Sequence, residues 1–170
     1  MNAEDTMKYR IVSLIAAIFA CVLLLGACAG ETYEPKKFFV FNMSIELNDG
    51  FSKRTSNTYD GKFVSQDLAV YVARDQFDEL GDEETVSKLT LSEYAEQIIK
   101  NNKLDCAATL DKGLTTFAYT EFIDNDKYAF YTVVYKSDDA FWRVQFAGLA
   151  STVEEQKDAI RDYAWSVDFS

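Results

Sequence analysis

The chain of 170 residues contains no histidine, one proline, seven glycines and three cysteines. The lack of histidine excludes Ser-His-Asp and Cys-His catalysis and every zinc or other metal site that needs an imidazole. The glycines are too dispersed to form a phosphate-binding loop, and neither S-x-x-K nor C-x-x-C occurs. Acid–base work by two carboxylates is left open, but the 28 acidic residues make any chosen pair uninformative. The sequence therefore predicts a protein that is not an enzyme, with no cofactor.

Basic residues are also scarce, with 17 against 28 acidic ones and a net charge of −11. The largest basic clusters are the pairs Lys36-Lys37 and Lys53-Arg54. Nucleic acids and anionic lipid headgroups both recruit basic surfaces, so neither is an expected partner. Proteins, cations and neutral ligands remain as possible partners.

Long apolar runs are confined to the N-terminal region, where Lys8 and Arg10 precede a 15-residue apolar run, 11–25, that is interrupted by a single serine. As a helix this run spans about 22 Å, which is short of a ~30 Å hydrocarbon core. A basic region, an apolar run and small residues before a cleavage point are typical of a signal peptide. The segment therefore predicts export of the chain.

The run ends in Leu25-Gly26-Ala27-Cys28, which resembles the lipobox of bacterial lipoproteins. That resemblance implies that Cys28 becomes the mature N-terminus, carries diacylglycerol and anchors the chain to the membrane. Residues 1–27 are then the signal peptide, 28–36 the lipidated N-terminus and tether, and 37–170 a single domain. A coincidental cysteine beside an ordinary cleavage site is the alternative. Translation that begins at Met7 is a second open point, because an acidic segment precedes it.

The first part of the domain contains three runs with the pattern of strands. Residues 43–47 alternate between apolar and polar side chains, and runs at 62–65 and 68–73 follow the hairpin-type dipeptide Asp60-Gly61. We expect an antiparallel meander. The acidic residues 75–84 then predict a loop.

Two helices are predicted from capping signals and apolar stripes. Thr90 and Glu93 form a capping box, and Ser151 to Glu155 indicate a second capped start. The first stripe contains Leu91, Tyr94, Ala95, Ile98 and Ile99, and the second contains Ile160, Tyr163, Ala164 and Val167.

Between these helices, the chain from Cys106 onward predicts four strands separated by turns at 111–113, 124–126 and 137–139. The run 128–135 is apolar at nearly every position, which predicts a central strand that is covered on both faces. Residues 141–146 alternate instead.

This order of elements predicts an α/β fold: an α/β/α sandwich with a central antiparallel sheet of about six or seven strands and two main helices. With residues 141–146 and the closing Ser166-Val167-Asp168-Phe169, the layout over 37–170 resembles the PsbP-like superfamily. That resemblance implies a non-enzymatic accessory, assembly or binding protein. It transfers no functional residues, because no active-site motif is shared.

Three groups of side chains are weak site candidates. Cys106 is expected to be a small buried hydrophobe at the start of a strand, with an intermolecular bridge or redox role as the alternative. An acidic cluster predicts a solvated loop more strongly than a cation site, and comprises Asp75, Asp78, Glu79, Asp82, Glu83 and Glu84. The strand aromatics should be mostly core, with a ligand groove as the alternative, and they are Tyr71, Phe117, Tyr119, Phe122, Tyr128, Phe130, Tyr131, Tyr135, Phe141 and Trp142.

Taken together, these features predict a lipid-anchored, non-catalytic protein on the extracytoplasmic side of the bacterial envelope that binds or helps to assemble another envelope protein. The alternative is a surface receptor for a small ligand or cation, and a hydrolase is third. A cavity beneath the tyrosine-rich sheet favours a ligand, whereas a broad exposed aromatic patch favours a protein partner.

Overall fold

The computed structural model of the chain describes residues Glu34–Ser170, so Cys28 and the predicted signal peptide lie outside the described part. The described residues form ten strands and five helices. The strands are β1 (Pro35–Val40), β2 (Met43–Asn48), β3 (Ser52–Lys53), β4 (Gly61–Val64), β5 (Ala69–Gln76), β6 (Thr109–Asp111), β7 (Leu114–Ile123), β8 (Asp126–Lys136), β9 (Ala140–Leu149) and β10 (Asp168–Phe169). The helices are α1 (Phe77–Leu80), α2 (Glu83–Val86), α3 (Leu91–Asn101), α4 (Ala150–Glu155) and α5 (Lys157–Trp165). None of these helices is long and apolar enough to cross a membrane.

Seven strands form one antiparallel sheet in the order β3-β4-β5-β9-β8-β7-β6, and a second sheet has the order β1-β2-β10. The larger sheet is the predicted central sheet. Its middle strand is β9, where Trp142, Val144 and Phe146 are fully buried on one face and Phe141 on the other. Both faces of the middle strand are therefore covered, as a three-layer fold requires.

Each face of the larger sheet has its own core. On one face, α5 and the smaller sheet contribute Ile160, Ala164 and Ile45 to the first core. On the other face, α3 and the two short helices contribute Tyr94 and Phe77 to the second core. The α/β/α prediction is confirmed, with the smaller sheet as an addition on the α5 side.

The N-terminal strands differ from the predicted meander. Strand β1 was not predicted, and Pro35 and Lys36, which were assigned to the tether, lie in it. It has the composition of a tether because its first residues are exposed, and proline is tolerated in an edge strand. Strand β2 pairs with β1 and β10 and not with β4, so it does not belong to the meander. An alternating pattern identifies a strand but not its neighbour.

The dipeptide Asp60-Gly61 does not form the predicted hairpin turn. Gly61 begins β4, and a Cβ at this position would lie 2.5 Å from Val40 Cγ2. A glycine is therefore required here because β1 packs directly on the β4 backbone. Asp60 instead accepts a hydrogen bond from the Arg74 amide at 2.7 Å through its carboxylate.

The predicted loop over residues 75–84 is wrong, because β5 continues to Gln76 and two single-turn helices follow. Phe77 and Val86 are buried and attach these turns to the second core. Asp82 caps α2 by accepting a hydrogen bond from the Thr85 amide at 3.0 Å. The excess of acidic residues obscured the two apolar anchors.

The predicted capping box is confirmed, since Thr90 accepts from the Glu93 amide and the Glu93 carboxylate accepts from the Thr90 amide. The predicted side-chain cap of the second helix is wrong. Helix α4 begins at Ala150 directly after β9, has no side-chain cap, and is separated from α5 by Gln156. The N-cap position is Leu149, whose side chain cannot accept a hydrogen bond.

All four predicted strands after Cys106 are present, with turns at the predicted places, but Cys106 precedes β6. Strand β8 lies beside the middle strand and is not the middle strand. Only Thr132, Val133 and Val134 of β8 are buried. Residues 128–131 also pair with β9 but are only half-buried, so this part of the apolar run is covered less than predicted.

Candidate functional site

The predicted lipidation site, Cys28, lies outside the described residues. Within residues 34–170, no group of three or more Cys, Asp and Glu side chains converges into an arrangement that could hold a metal ion. Of the acidic cluster, Asp75 points to the sheet face and Asp82 caps α2. The remaining four side chains are exposed on α1 and α2.

Asp75 belongs to a half-buried network that attaches α3 to the sheet. Arg143 Nε lies 3.0 Å from Asp75 Oδ2, and Arg143 Nη2 donates to Asp75 Oδ1 at 3.1 Å. The Tyr94 hydroxyl of α3 donates to the same carboxylate. Burial, with a further contribution from Asp75, raises the pKa of Tyr94 well above its usual value. The tyrosine is therefore a neutral donor, and the network is structural.

Cys106 is half-buried beside the second core. Burial raises the pKa of its thiol, and the nearby carboxylates of Glu96 and Asp105 raise it further. A thiol kept in its protonated form is a poor nucleophile. This environment fits the packing role that the sequence predicts.

The strand aromatics are less buried than predicted. Only Phe117, Phe141 and Trp142 are fully buried, and Phe122 is exposed. The other six are half-buried: Tyr71, Tyr119, Tyr128, Phe130, Tyr131 and Tyr135. Several of them face open cavities on the two sides of the larger sheet.

The most prominent surface feature is a hairpin arm, which we define as residues 121–127 at the joined ends of β7 and β8. Every residue of the arm is exposed. Phe122 pairs with Lys127 and Ile123 with Asp126. The two turn residues have positive φ, 51° and 72°, as a type I′ hairpin turn requires. The arm therefore has a regular backbone although nothing in the described residues covers it.

The arm has an apolar tip. Phe122 is 76% exposed and Ile123 is 43% exposed, on opposite faces of β7. Large apolar side chains at the end of a hairpin have no favourable interaction with water and do not pack into either core. Such side chains are typical of interaction sites.

An open groove of about 750 Å³ runs from the base of the arm to α4 and α5. Ala118, Thr120 and Ala129 of β7 and β8 form its floor, and Val153 and Arg161 lie on its helical wall. Because Ala118 and Ala129 have small side chains, they leave the space above the floor open. Alternation along a strand puts Ala118, Thr120 and Phe122 on one face, so an apolar tip residue stands at the end of the groove.

Charged side chains at the other end of the groove are held in place. Arg161 donates from Nε to Asp111 Oδ2 at 2.9 Å and from Nη1 to Asp158 Oδ1 at 2.6 Å. The Tyr131 hydroxyl donates to Asp111 at 3.2 Å. The hydrogen bond from Arg161 lowers the pKa of Asp111 despite partial burial. This end of the groove therefore has fixed charges of both signs.

Sequence reasoning missed both the arm and the groove. The run 128–135 predicts a strand covered on both faces because it is apolar at nearly every position. The relevant signal was the length of the two strands around Asp124 and Asn125, 10 and 11 residues, which exceeds what the sandwich covers. Small residues at Ala118 and Ala129 were a second signal.

No protein-family model and no curated protein sequence matches the chain. Solved structures do. A crystal structure from Bacteroides thetaiotaomicron matches at 9% identity and a TM-score of 0.55, over 79% of this chain but 48% of that one, so this chain spans about half of it. The Ran-binding protein Mog1p from Saccharomyces cerevisiae matches at 9% identity and a TM-score of 0.50, over 81% of this chain and 96% of Mog1p.

Cyanobacterial PsbP (CyanoP) from Synechocystis sp. PCC 6803 matches at 11% identity and a TM-score of 0.46, over 84% of this chain and 97% of CyanoP. A PsbP protein is thus among the structures similar to this chain. At these identities the likeness concerns the fold alone. None of the three descriptions names an enzyme.

Proposed function

We propose that this protein is a lipid-anchored, non-catalytic component of the bacterial envelope that binds another envelope protein through the arm and the adjoining groove. The anchor is diacylglycerol on Cys28, and residues 29–34 connect it to β1. The domain then lies on the extracytoplasmic side, close to the membrane surface. The basis for the anchor is the lipobox resemblance of residues 25–28.

The observation that carries the binding proposal is the exposed apolar tip of the arm beside an open groove. Burial of one side chain the size of Phe122 stabilises a complex by about 1.5–3 kcal/mol. A groove with apolar side chains and satisfied charges at its wall supplies the mixed surface of a protein interface. A specific interface still requires about 800 Å² from each partner, so the arm and the groove must act together.

Photo-crosslinking in intact cells tests this proposal. A photoreactive amino acid is placed at Phe122 or Thr120, and at Gln97 on the exposed side of α3 as the matched control. The expected result is one crosslinked protein that is common to the first two positions and absent with the control. Adducts that are equal at all three positions, or absent from all, would contradict the proposal.

The anchor is tested separately with the Cys28→Ala variant. Loss of the crosslinked product in that variant, while the purified domain keeps its stability, is expected if the anchor brings the domain to its partner. Full crosslinking by a protein that is no longer membrane-bound would show that the partner is reached without the anchor.

A further inference from the structure

The opposite face of the larger sheet contains a second cavity, of about 220 Å³, which shares Glu121 with the arm and Tyr119 with the groove. Its floor is polar, with Gln145 and Arg143 of β9 and Thr132 of β8. Tyr71 stands on one side of this floor and Tyr119 on the other. We call it the polar cavity.

The strand register explains why these side chains meet. Gln145 lies directly opposite Tyr71 of β5 and directly opposite Thr132 of β8. Its amide nitrogen donates to Tyr119 Oη at 3.2 Å and to Thr132 Oγ1 at 3.1 Å. The amide, the phenol and the hydroxyl are therefore fixed in one connected network at the centre of the cavity. Groups that are held in this way are preorganised for hydrogen bonds to a ligand.

Aromatic rings form two facing walls. Tyr59, in the segment between β3 and β4, packs on Tyr71 with ring centroids 4.8 Å apart. Tyr119 is stacked with Phe130 at 4.8 Å and an interplanar angle of 11°, which fixes its ring. Ile98 and other residues near the C-terminal end of α3 close a third side. A polar floor between aromatic walls suits a ligand with polar edges and apolar faces.

The charged groups around the polar cavity limit the class of ligand that it can bind. The Arg143 guanidinium is half-buried, and its charge is neutralised by Asp75. A free anion would therefore meet little net positive charge, and it would approach a chain with a net charge of −11 and the carboxylate of Glu121 at the rim. A cation would meet only one carboxylate, that of Glu121 at the rim, and no acidic side chain on the floor. The cavity is best suited to a neutral ligand with several hydroxyl groups.

The volume of the polar cavity limits the class of ligand further. Pockets for drug-sized ligands occupy about 300–1,000 Å³, and the polar cavity is smaller, at about 220 Å³. One six-membered sugar ring presents hydroxyl groups at its edge and C–H groups on its faces, which matches this combination of floor and walls. We propose that the polar cavity binds a neutral pyranose sugar, as a free sugar or as one residue of a glycan. This inference does not depend on the proposed partner binding by the arm.

Saturation-transfer NMR on the full chain tests the inference, with glucose, mannose and N-acetylglucosamine as probes at millimolar concentration and glucuronate as the charged comparator. The expected result is transfer to at least one neutral sugar and weaker transfer to glucuronate. No transfer to any of the three neutral sugars, or stronger transfer to glucuronate, overturns the inference. A glycan that carries the preferred sugar then separates the two sources, since tighter binding than the free sugar indicates a glycan ligand.

Two variants locate the site. Gln145→Leu keeps the approximate size of the side chain and removes both hydrogen bonds, and Tyr59→Ala removes part of one wall from a segment outside the strands. Each is expected to weaken sugar binding about tenfold or more, which corresponds to 1.4 kcal/mol. Lys157→Ala, in the groove on the other face, is the matched control and should bind as the native chain does. If Gln145→Leu fails to fold, the test rests on Tyr59→Ala. Unchanged sugar binding in that variant overturns the inference.

Discussion

Arg161 of α5 donates a hydrogen bond to Asp111 of β6 at 2.9 Å, across 50 residues of sequence. This pair joins the last long helix to the outermost strand of the larger sheet and closes one end of the groove. The three-residue strand β6 has one strand neighbour, β7. The pair therefore supports an edge that backbone pairing alone holds weakly.

This pair predicts a specific dependence of stability on pH. Arg161 lowers the pKa of Asp111 below its ordinary value of 3.8. The ionised carboxylate therefore stabilises the folded state above that pH, and the contribution disappears as the pH falls through the lowered pKa. In Asp111→Asn this contribution is absent at every pH. The difference in urea midpoint between the native chain and the variant should be largest near neutral pH and shrink below about pH 4.

The matched control for that titration is Asp158→Asn, since Asp158 also pairs with Arg161 but its side chain is 92% exposed. Exposed pairs contribute little to stability, so this variant should differ only slightly from the native chain at any pH. A difference at pH 7 as large as that of Asp111→Asn would contradict the assignment of the stabilising role to Asp111.

Two neighbouring isoleucines of α3 provide a direct test of the second core. Ile99 is 5% exposed, whereas Ile98 is half-buried at the wall of the polar cavity. Ile99→Ala should lower the free energy of unfolding by about 2–5 kcal/mol, and Ile98→Ala by clearly less. Ile160→Ala should have a cost like that of Ile99→Ala, because Ile160 is 1% exposed in the first core. Chemical denaturation measures all three, and equal losses for Ile98 and Ile99 would argue against this placement of α3.

The contact between the two sheets predicts that Gly61→Ala is destabilising. The new methyl group would lie 2.5 Å from Val40 Cγ2, so β1 or β4 must move. Overpacking of this kind costs about 1–3 kcal/mol. In a chain that already carries Val40→Ala, Gly61→Ala should lower the stability by less than it does in the native chain, because the clashing Val40 Cγ2 is absent. If thermal unfolding shows that the effects of the two substitutions simply add, the clash with Val40 is not the cause of the lost stability.

The acidic cluster predicts a small response to calcium. Asp82 is engaged as a helix cap and Asp75 in an ion pair with Arg143, so the cluster does not supply the six to eight converging oxygens that calcium requires. A site with a Kd near 1 mM would add only ~0.4 kcal/mol at equal ligand concentration. Millimolar calcium should therefore move the melting temperature by less than about a degree. A saturable rise of several degrees that disappears in Asp78→Asn with Asp82→Asn would support a cation receptor instead.

Lipidation stays a prediction, and Cys28→Ala tests it. The variant should lose labelling by a palmitate analogue and accumulate as an unprocessed or released protein, because the thiol that accepts diacylglycerol is missing. Cys106→Ala is the control, since that thiol lies in the folded domain. Labelling of the Cys28 variant at the native level would remove the basis for the anchor.

The sequence predicted the fold class and the helix α3 well, because Thr90 and Glu93 form a local signal that needs no distant partner. The four strands of the C-terminal half were found for the same reason, since their turns contain strongly turn-forming residues. Strand β1 and the place of β2 could not be found, because pairing is decided by long-range packing around Gly61 and Val40.

The candidate sites depended even more on three-dimensional placement. The alternation of Arg143 and Gln145 with the buried Trp142 and Val144 indicated a partly polar sheet face, but not that Tyr59 and Tyr119 would enclose it. Likewise, an aromatic strand in a sequence does not reveal that the hairpin which precedes it, residues 121–127, is exposed at every position. Periodicity assigns a side chain to a face and leaves open whether another layer covers that face.

Strand β10 and Ser170 make the smaller sheet depend on a segment that is distant from β1 and β2 in the sequence. Asp168 pairs with Ser44, and the Ser170 amide donates to the Asn42 carbonyl at 3.0 Å, across 128 residues. A chain that emerges N-terminus first, from a ribosome or from a translocation channel, exposes the β1–β2 hairpin long before its last neighbour arrives. Until then, the free edge of β2 is open to any extended segment. The smaller sheet is therefore completed only after β10 has emerged, and a chain released before that point would keep a β1–β2 hairpin with an unpaired edge.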